Sequence, residues 1–125
     1  MERIRTRAEF QAVLAHPPVA TSAHFALHAA PIQPVAEQPR VGVVLPKRWA
    51  RRAVTRNTLR RQIYVAALSF AQGLPHRDFV VRLRRGFDTR EFPSATSDAL
   101  KRAARDELNT LFGRMAASTQ TPGQP

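Results

Sequence analysis

The spacing of hydrophobic positions changes several times along the chain, and each change marks an element. Phe10, Val13 and Leu14 recur at helical spacing behind Thr6-Arg7-Ala8-Glu9, which has the form of a capping box, so a short helix is predicted over residues 7–15. Pro17-Pro18 is the expected stop. From Ser22 to Ala30 the period falls to two, with Phe25, Leu27 and Ala29 on one side and His24, Ala26 and His28 on the other. Pro31 to Pro39 holds three prolines and reads as a loop. Arg40 to Leu45 is β-branched and apolar, a second strand. These two strands are expected to pair as an antiparallel hairpin with a long connection.

The helical period returns over Arg51–Gln72, where Leu59, Ile63, Ala66 and Phe70 form one stripe. Gly73 is the expected C-cap and Pro75 the stop. Asp78 to Arg84 is a third strand, with Phe79, Val81 and Leu83 facing one way and Val80, Arg82 and Arg84 the other. Gly86 and Asp88 turn the chain, and Pro93 with the Ser/Thr cluster Ser94–Ser97 introduces a last helix. Its stripe is Leu100, Ala104, Leu108, Leu111, Phe112 and Met115, with Gly113 weakening the final turn. Ser118 to Pro125 has no period and is expected to be a disordered tail, which leaves 1–117 as one domain. The order α-β-β-α-β-α describes a small α+β domain, its helices packed on one sheet, and 125 residues suit a single core.

Charge adds a direction to this outline. Twenty Lys and Arg against nine Asp and Glu give a net charge of +11, and a sequence pI near 11.8 follows. Such an excess predicts polyanion binding through counterion release. Eighteen of the cations are Arg, whose planar fork grips phosphate at two points and stacks on bases. A GC-rich genome would account for Arg over Lys, but not for the net charge. The excess is also concentrated: from Gln38 to Arg77 there is no acidic residue, while Arg40, Lys47, Arg48, Arg51, Arg52, Arg56, Arg60, Arg61 and Arg77 all fall there. A solvated face usually mixes both signs, so a one-sign block of this length reads as a binding surface.

Within that block Arg52, Arg56 and Arg60 form a stripe at the start of the long helix, with Asn57 and Arg61 further round. Cations at a helix N-terminus oppose the macrodipole, a conflict that an external polyanion relieves. Phosphates could also meet the free N–H groups of the first turn. Asn57 can add a directional hydrogen bond. Trp49 fits two roles, packing beside the strand end or stacking on a base.

Lys47-Arg48, Arg51-Arg52-Ala53, Arg56-Asn57 and Arg60-Arg61, behind the strand Arg40-Val41-Gly42-Val43-Val44-Leu45, together resemble the signature of the bacterial ribonuclease P protein family. The resemblance takes in Glu9-Phe10 and Asp78-Phe79-Val80-Val81 and spans roughly residues 4–115. Three positions depart from it: Thr58 stands where the family often has Arg, Tyr64 and Val65 where it often has Arg-Glu, and His28 where an aromatic is common on the first strand. The first two imply fewer RNA contacts from the helix, and the third bears on a stacking role.

The resemblance implies a ribosomal-protein-S5-domain-2-like fold with a left-handed crossover into the long helix, against the usual right-handed rule. It implies one protein per catalytic RNA, cleavage of the 5′ leader of precursor tRNA carried out by that RNA, and Mg²⁺ bound mainly by RNA and substrate. Carried over residue by residue, it makes Lys47, Arg48, Arg51, Arg52, Arg56, Asn57, Arg60 and Arg61 the RNA-binding set. A cleft between the first helix, the sheet and the long helix would hold the single-stranded leader. Phe10 matches its aromatic, although its spacing equally fits a core position beside Val13 and Leu14. His28, Arg82 and Arg84, opposite the apolar strand faces, are the further cleft candidates.

The residue inventory offers the protein no chemistry of its own. Cysteine is absent, which excludes disulfides and thiolate chemistry and fits a reducing cytoplasm. His24 and His28 lie about 13 Å apart on strand geometry, too far to share an ion. No paired acid and base, Mg²⁺ cage, nucleophile elbow or phosphate-cradling glycine loop is present. No apolar run of membrane-spanning length occurs, and no signal peptide is read. The competing readings are a ribosomal or other structural RNA-binding protein, and a DNA-binding regulator using the long helix. The latter lacks the preceding helix that a helix-turn-helix requires.

Overall fold

The computed structural model describes residues 1–31, 38–94 and 97–119. It contains β1 (Glu2–Arg3), α1 (Arg7–Leu14), β2 (Pro18–Thr21), β3 (Phe25–Ala29), β4 (Arg40–Val44), α2 (Ala53–Phe70), β5 (Asp78–Leu83) and α3 (Asp98–Thr119). The strands form one mixed sheet in the order β1-β4-β5-β3-β2. β1 and β5 flank β4 in parallel, and β3 runs antiparallel to both β5 and β2.

Period-two alternation sorts the sheet into two cores. Phe25, Leu27, Ala29, Val41, Phe79, Val81 and Leu83 face α2 and α3, meeting Leu59, Ile63 and Ala66 of the first and Leu100, Ala104, Leu108, Leu111 and Phe112 of the second. The opposite face carries a smaller cluster of Ile4, Val13, Ala30 and Val80, with Phe10, Leu14 and Val44 packed on it, so α1 covers that side. Gly42 makes this close approach possible. A Cβ there would stand 2.4 Å from Phe10 Cε1, so the ring rests where a side chain would be.

The expected hairpin between the first two long strands is not formed, because β5 lies between them. Alternation determines which face a residue takes and carries no information about which strand sits alongside. β3 takes β2 as its hairpin partner, and β4 reaches β5 through α2, the helical crossover that a parallel pair requires. β2 begins at Pro18, which had been expected only to end the first helix. On an edge strand the missing N–H of proline costs no ladder bond.

The capping box at Thr6 is complete. The Thr6 hydroxyl accepts from the Glu9 N–H, and the Glu9 carboxylate accepts from the Thr6 N–H at 3.0 Å. At the other end of α2 the chain tightens into a 3₁₀ turn over Ala71–Gly73 without any glycine at positive φ among the described residues, so Gly73 is not a left-handed cap. Leu74, extended ahead of Pro75, ends the helical run instead. The Ser97 hydroxyl caps α3 by accepting from the Leu100 N–H at 3.1 Å. α3 continues past Gly113 to Thr119, two residues into the expected tail. The remainder of that tail, and most of the proline-rich loop after Pro31, lie outside the described residues. Among the described residues no helix is long and apolar enough to cross a membrane.

Candidate nucleic-acid interface

The connection from β4 to α2 is a tight turn in which the Trp49 and Ala50 N–H groups both donate to the Pro46 carbonyl. Ala50 is buried in the core, which anchors the turn and leaves Lys47, Arg48, Arg51 and Arg52 exposed around it. Arg52 is the N-cap of α2, extended, with no side chain capping the first turn and no acidic residue within it. Three ion pairs occur among the described residues, His24–Glu107, Arg40–Glu9 and Arg40–Asp78, and none involves this segment. The positive end of the helix dipole is therefore surrounded by cations that no described carboxylate neutralises.

The predicted set divides into free and engaged members. No hydrogen bond or ion pair to a described residue holds the guanidinium of Arg51, Arg52 or Arg61, and all three are exposed. Arg56 is half-buried, and its Nη1 donates to the carbonyls of Ala50 and Arg51 at 2.9 and 2.8 Å. It therefore braces the turn that displays its neighbours. Arg60 Nη1 donates to Asn57 Oδ1 at 3.1 Å, and the amide N–H₂ of the exposed Asn57 has no described partner. The Thr58 hydroxyl, at a departure from the family pattern, donates to the Val54 carbonyl. At another departure, the Arg3 guanidinium lies 3.9 Å from the centre of the Tyr64 ring.

Two cations of the acid-free block are not part of this surface. Arg40 makes a bidentate pair with Asp78 (2.8 and 2.6 Å) and reaches Glu9, tying α1, β4 and β5 together. Its guanidinium, with the Thr6 contacts, holds the Glu9 carboxyl well below the ordinary range, at about 2. Arg77 Nε donates to the Ala30 carbonyl at 2.6 Å. Conversely, α3 contributes Lys101, which lines a groove with Asn57, Arg61 and Gln62 of α2. Arg105, one turn on, donates to Gln62 at 2.7 Å. The i, i+4 spacing of Lys101 and Arg105 was readable in the sequence. That α3 would lie beside the basic end of α2 was not.

The second predicted group lies on the α1 face of the sheet. Phe10 rests over Gly42, which is level with Val80 and, across it, with His28, so the three strands place these positions in one row. His28 is 5 % exposed. Its Nδ1 donates to the His16 carbonyl at 2.9 Å, since that oxygen can only accept, and its Nε2 accepts from Arg82 Nε at 3.3 Å. His28 thus offers no free ring face and acts on this surface by orienting Arg82. Phe10 and Arg82 are half-buried, and Arg84 is exposed beyond the strand end, with its Nη1 donating to the Ser22 carbonyl at 2.7 Å.

Comparison with known proteins identifies the family. The family model described as Ribonuclease P matches residues 1–115. The ribonuclease P protein component of Bordetella parapertussis is 41% identical over 117 residues, covering 91% of each chain, and that of Ralstonia pickettii is 35% identical over 129 residues, covering 98% of this chain and 89% of its own. The fold matches the ribonuclease P protein structures from Staphylococcus aureus (TM-score 0.71, 18% identity, 91% of this chain and 94% of that one) and Thermotoga maritima (TM-score 0.69, 23% identity, 91% and 97%). An α+β sheet of this order, an uncompensated cationic helix start and a family match over nearly the whole chain lead to one conclusion: the chain belongs to the ribonuclease P protein family.

Proposed function

We propose that this protein binds the RNA subunit of ribonuclease P and assists that RNA in removing the 5′ leader of precursor tRNA. The observation that carries the proposal is the exposed pair Arg51 and Arg52 at the α2 N-terminus, with Arg61 two turns along the helix, all free of carboxylate partners among the described residues. Phosphates there would gain both guanidinium contacts and the helix dipole. Lys47, Arg48, Arg60 and Asn57 extend the surface, and Arg56 holds the turn in place.

In this reading the leader runs over the α1 face, where Phe10 offers an apolar edge and Arg82, oriented by His28, offers a cation. The side chains present do not fit a resident Mg²⁺. Among the described residues no three of His, Asp and Glu converge, and Glu9 and Asp78 are occupied by Arg40. The ion and the hydrolytic step belong to RNA and substrate, and the protein binds, orients and neutralises charge.

Reconstitution with ribonuclease P RNA at low Mg²⁺ tests the proposal. The expected result is faster precursor-tRNA cleavage than with RNA alone, and no gain refutes it.

A further inference from the structure

Behind the basic turn lies a cavity of about 360 Å³ that the RNA-binding set does not explain. Trp49, Phe87 and Phe92 form its aromatic wall, Leu59 and Leu100 its floor, and Arg48, Arg51 and Arg52 its rim. It is at the small end of the roughly 300–1,000 Å³ usual for small-molecule sites, room for one planar group. The wall is built before any ligand arrives. Phe87 stacks on His24 at 3.9 Å between centroids and meets Phe92 edge-on at 5.6 Å, while His24 is held by Glu107 at 2.5 Å. Gly86 approaches the Trp49 carbonyl so closely that a Cβ would stand 2.7 Å from the oxygen, which locks the loop after β5 against the turn.

We propose that this pocket takes one unpaired nucleobase of the bound RNA, its adjoining phosphates lying on the arginine rim. The proposal rests on the RNA-binding reading above. Three features select this occupant. The interior is apolar and aromatic, which suits the face of any base. The rim is cationic, with Arg51 and Arg52 free of described partners and Arg48 beside the Trp49 ring at 5.4 Å. The pocket is also continuous with the basic surface, since the same residues form both. Trp49 is 37% exposed, so its ring is accessible without unfolding.

Trp49 is the only tryptophan in the chain, so its fluorescence reports on this site alone. The full chain is titrated with a dye-labelled single-stranded oligoadenylate and, separately, with a blunt RNA hairpin of equal phosphate number, binding being followed by anisotropy. Saturable quenching of Trp49 by the single strand but not by the hairpin is expected. Trp49→Ala is expected to weaken single-strand binding about tenfold, within the range for loss of one base stack, with an unchanged salt slope. Thr89→Phe, at an exposed lining position, should fill the pocket and produce the same loss without disturbing the core. Binding with no change in Trp49 fluorescence, or full affinity in Thr89→Phe, overturns the pocket and leaves the RNA-binding reading intact. Failure of both RNAs to bind overturns both readings.

Discussion

Arg56 and Arg61 share a helix and a charge, and the structure assigns them different consequences on mutation. Arg56 Nη1 bridges two carbonyls of the turn, and Arg61 has no described partner. A hydrogen bond from a charged group is worth about 1.5–3 kcal/mol in a protein interior. Arg56 is half-exposed and water can replace part of what is lost, so Arg56→Ala should cost roughly 1–2 kcal/mol in all. For a domain of this size that lowers Tm by about 4–8 °C. Arg61→Ala should leave stability within about 0.5 kcal/mol. Its effect should appear in RNA binding, where one lost phosphate contact reduces the slope of log K against log salt by about 0.7–0.9. Urea melts and RNA titrations between about 50 and 200 mM salt measure both quantities. Equal stability of Arg56→Ala and the parent would refute the bracing role. An unchanged slope in Arg61→Ala would show that Arg61 does not meet phosphate.

Glu9 gives a pH prediction. Its folded pKa, about 2, lies below the ordinary 4.5, so its contribution is full above 4.5 and is lost as pH falls from there toward 2. Glu9→Gln should flatten that part of the stability profile, and urea melts across the window would show it. Gly42→Ala forces a Cβ into the Phe10 ring and should destabilise by about 1–3 kcal/mol, with partial rescue by Phe10→Leu; additive losses in the double variant would count against this contact. Ser97→Ala removes the α3 cap and should cost about 1 kcal/mol in thermal melts, whereas an unchanged Tm would mean that the cap contributes nothing.

Faces were legible in the sequence and neighbours were not. Alternation placed Phe79, Val81 and Leu83 opposite Val80 and Arg82, and the structure keeps that division. No local pattern could say that β5 would separate β3 from β4, because strand adjacency is decided by which crossover the long helix makes. The cationic block was equally plain, but its members look alike in one dimension. Arg40 and Arg77 turn inward only because Asp78, Glu9 and the Ala30 carbonyl arrive from distant segments. Lys101 joins the surface for the converse reason, brought there by the packing of α3 on α2. His28 read as a cleft residue, and its burial depends on the His16 carbonyl arriving from the turn after α1.

The central position of β5 also bears on how the protein can be made. During synthesis β3 and β4 leave the ribosome well before the strand that joins them, so neither can complete its ladder until Leu83 has emerged. The larger core must wait further, for Phe112. The arginines at the start of α2 are therefore synthesised about 50–60 residues before Phe112 completes the larger core, beside the ribosome's own RNA. Folding is expected to be a late, single event governed by long-range pairing rather than stepwise growth from the N-terminus.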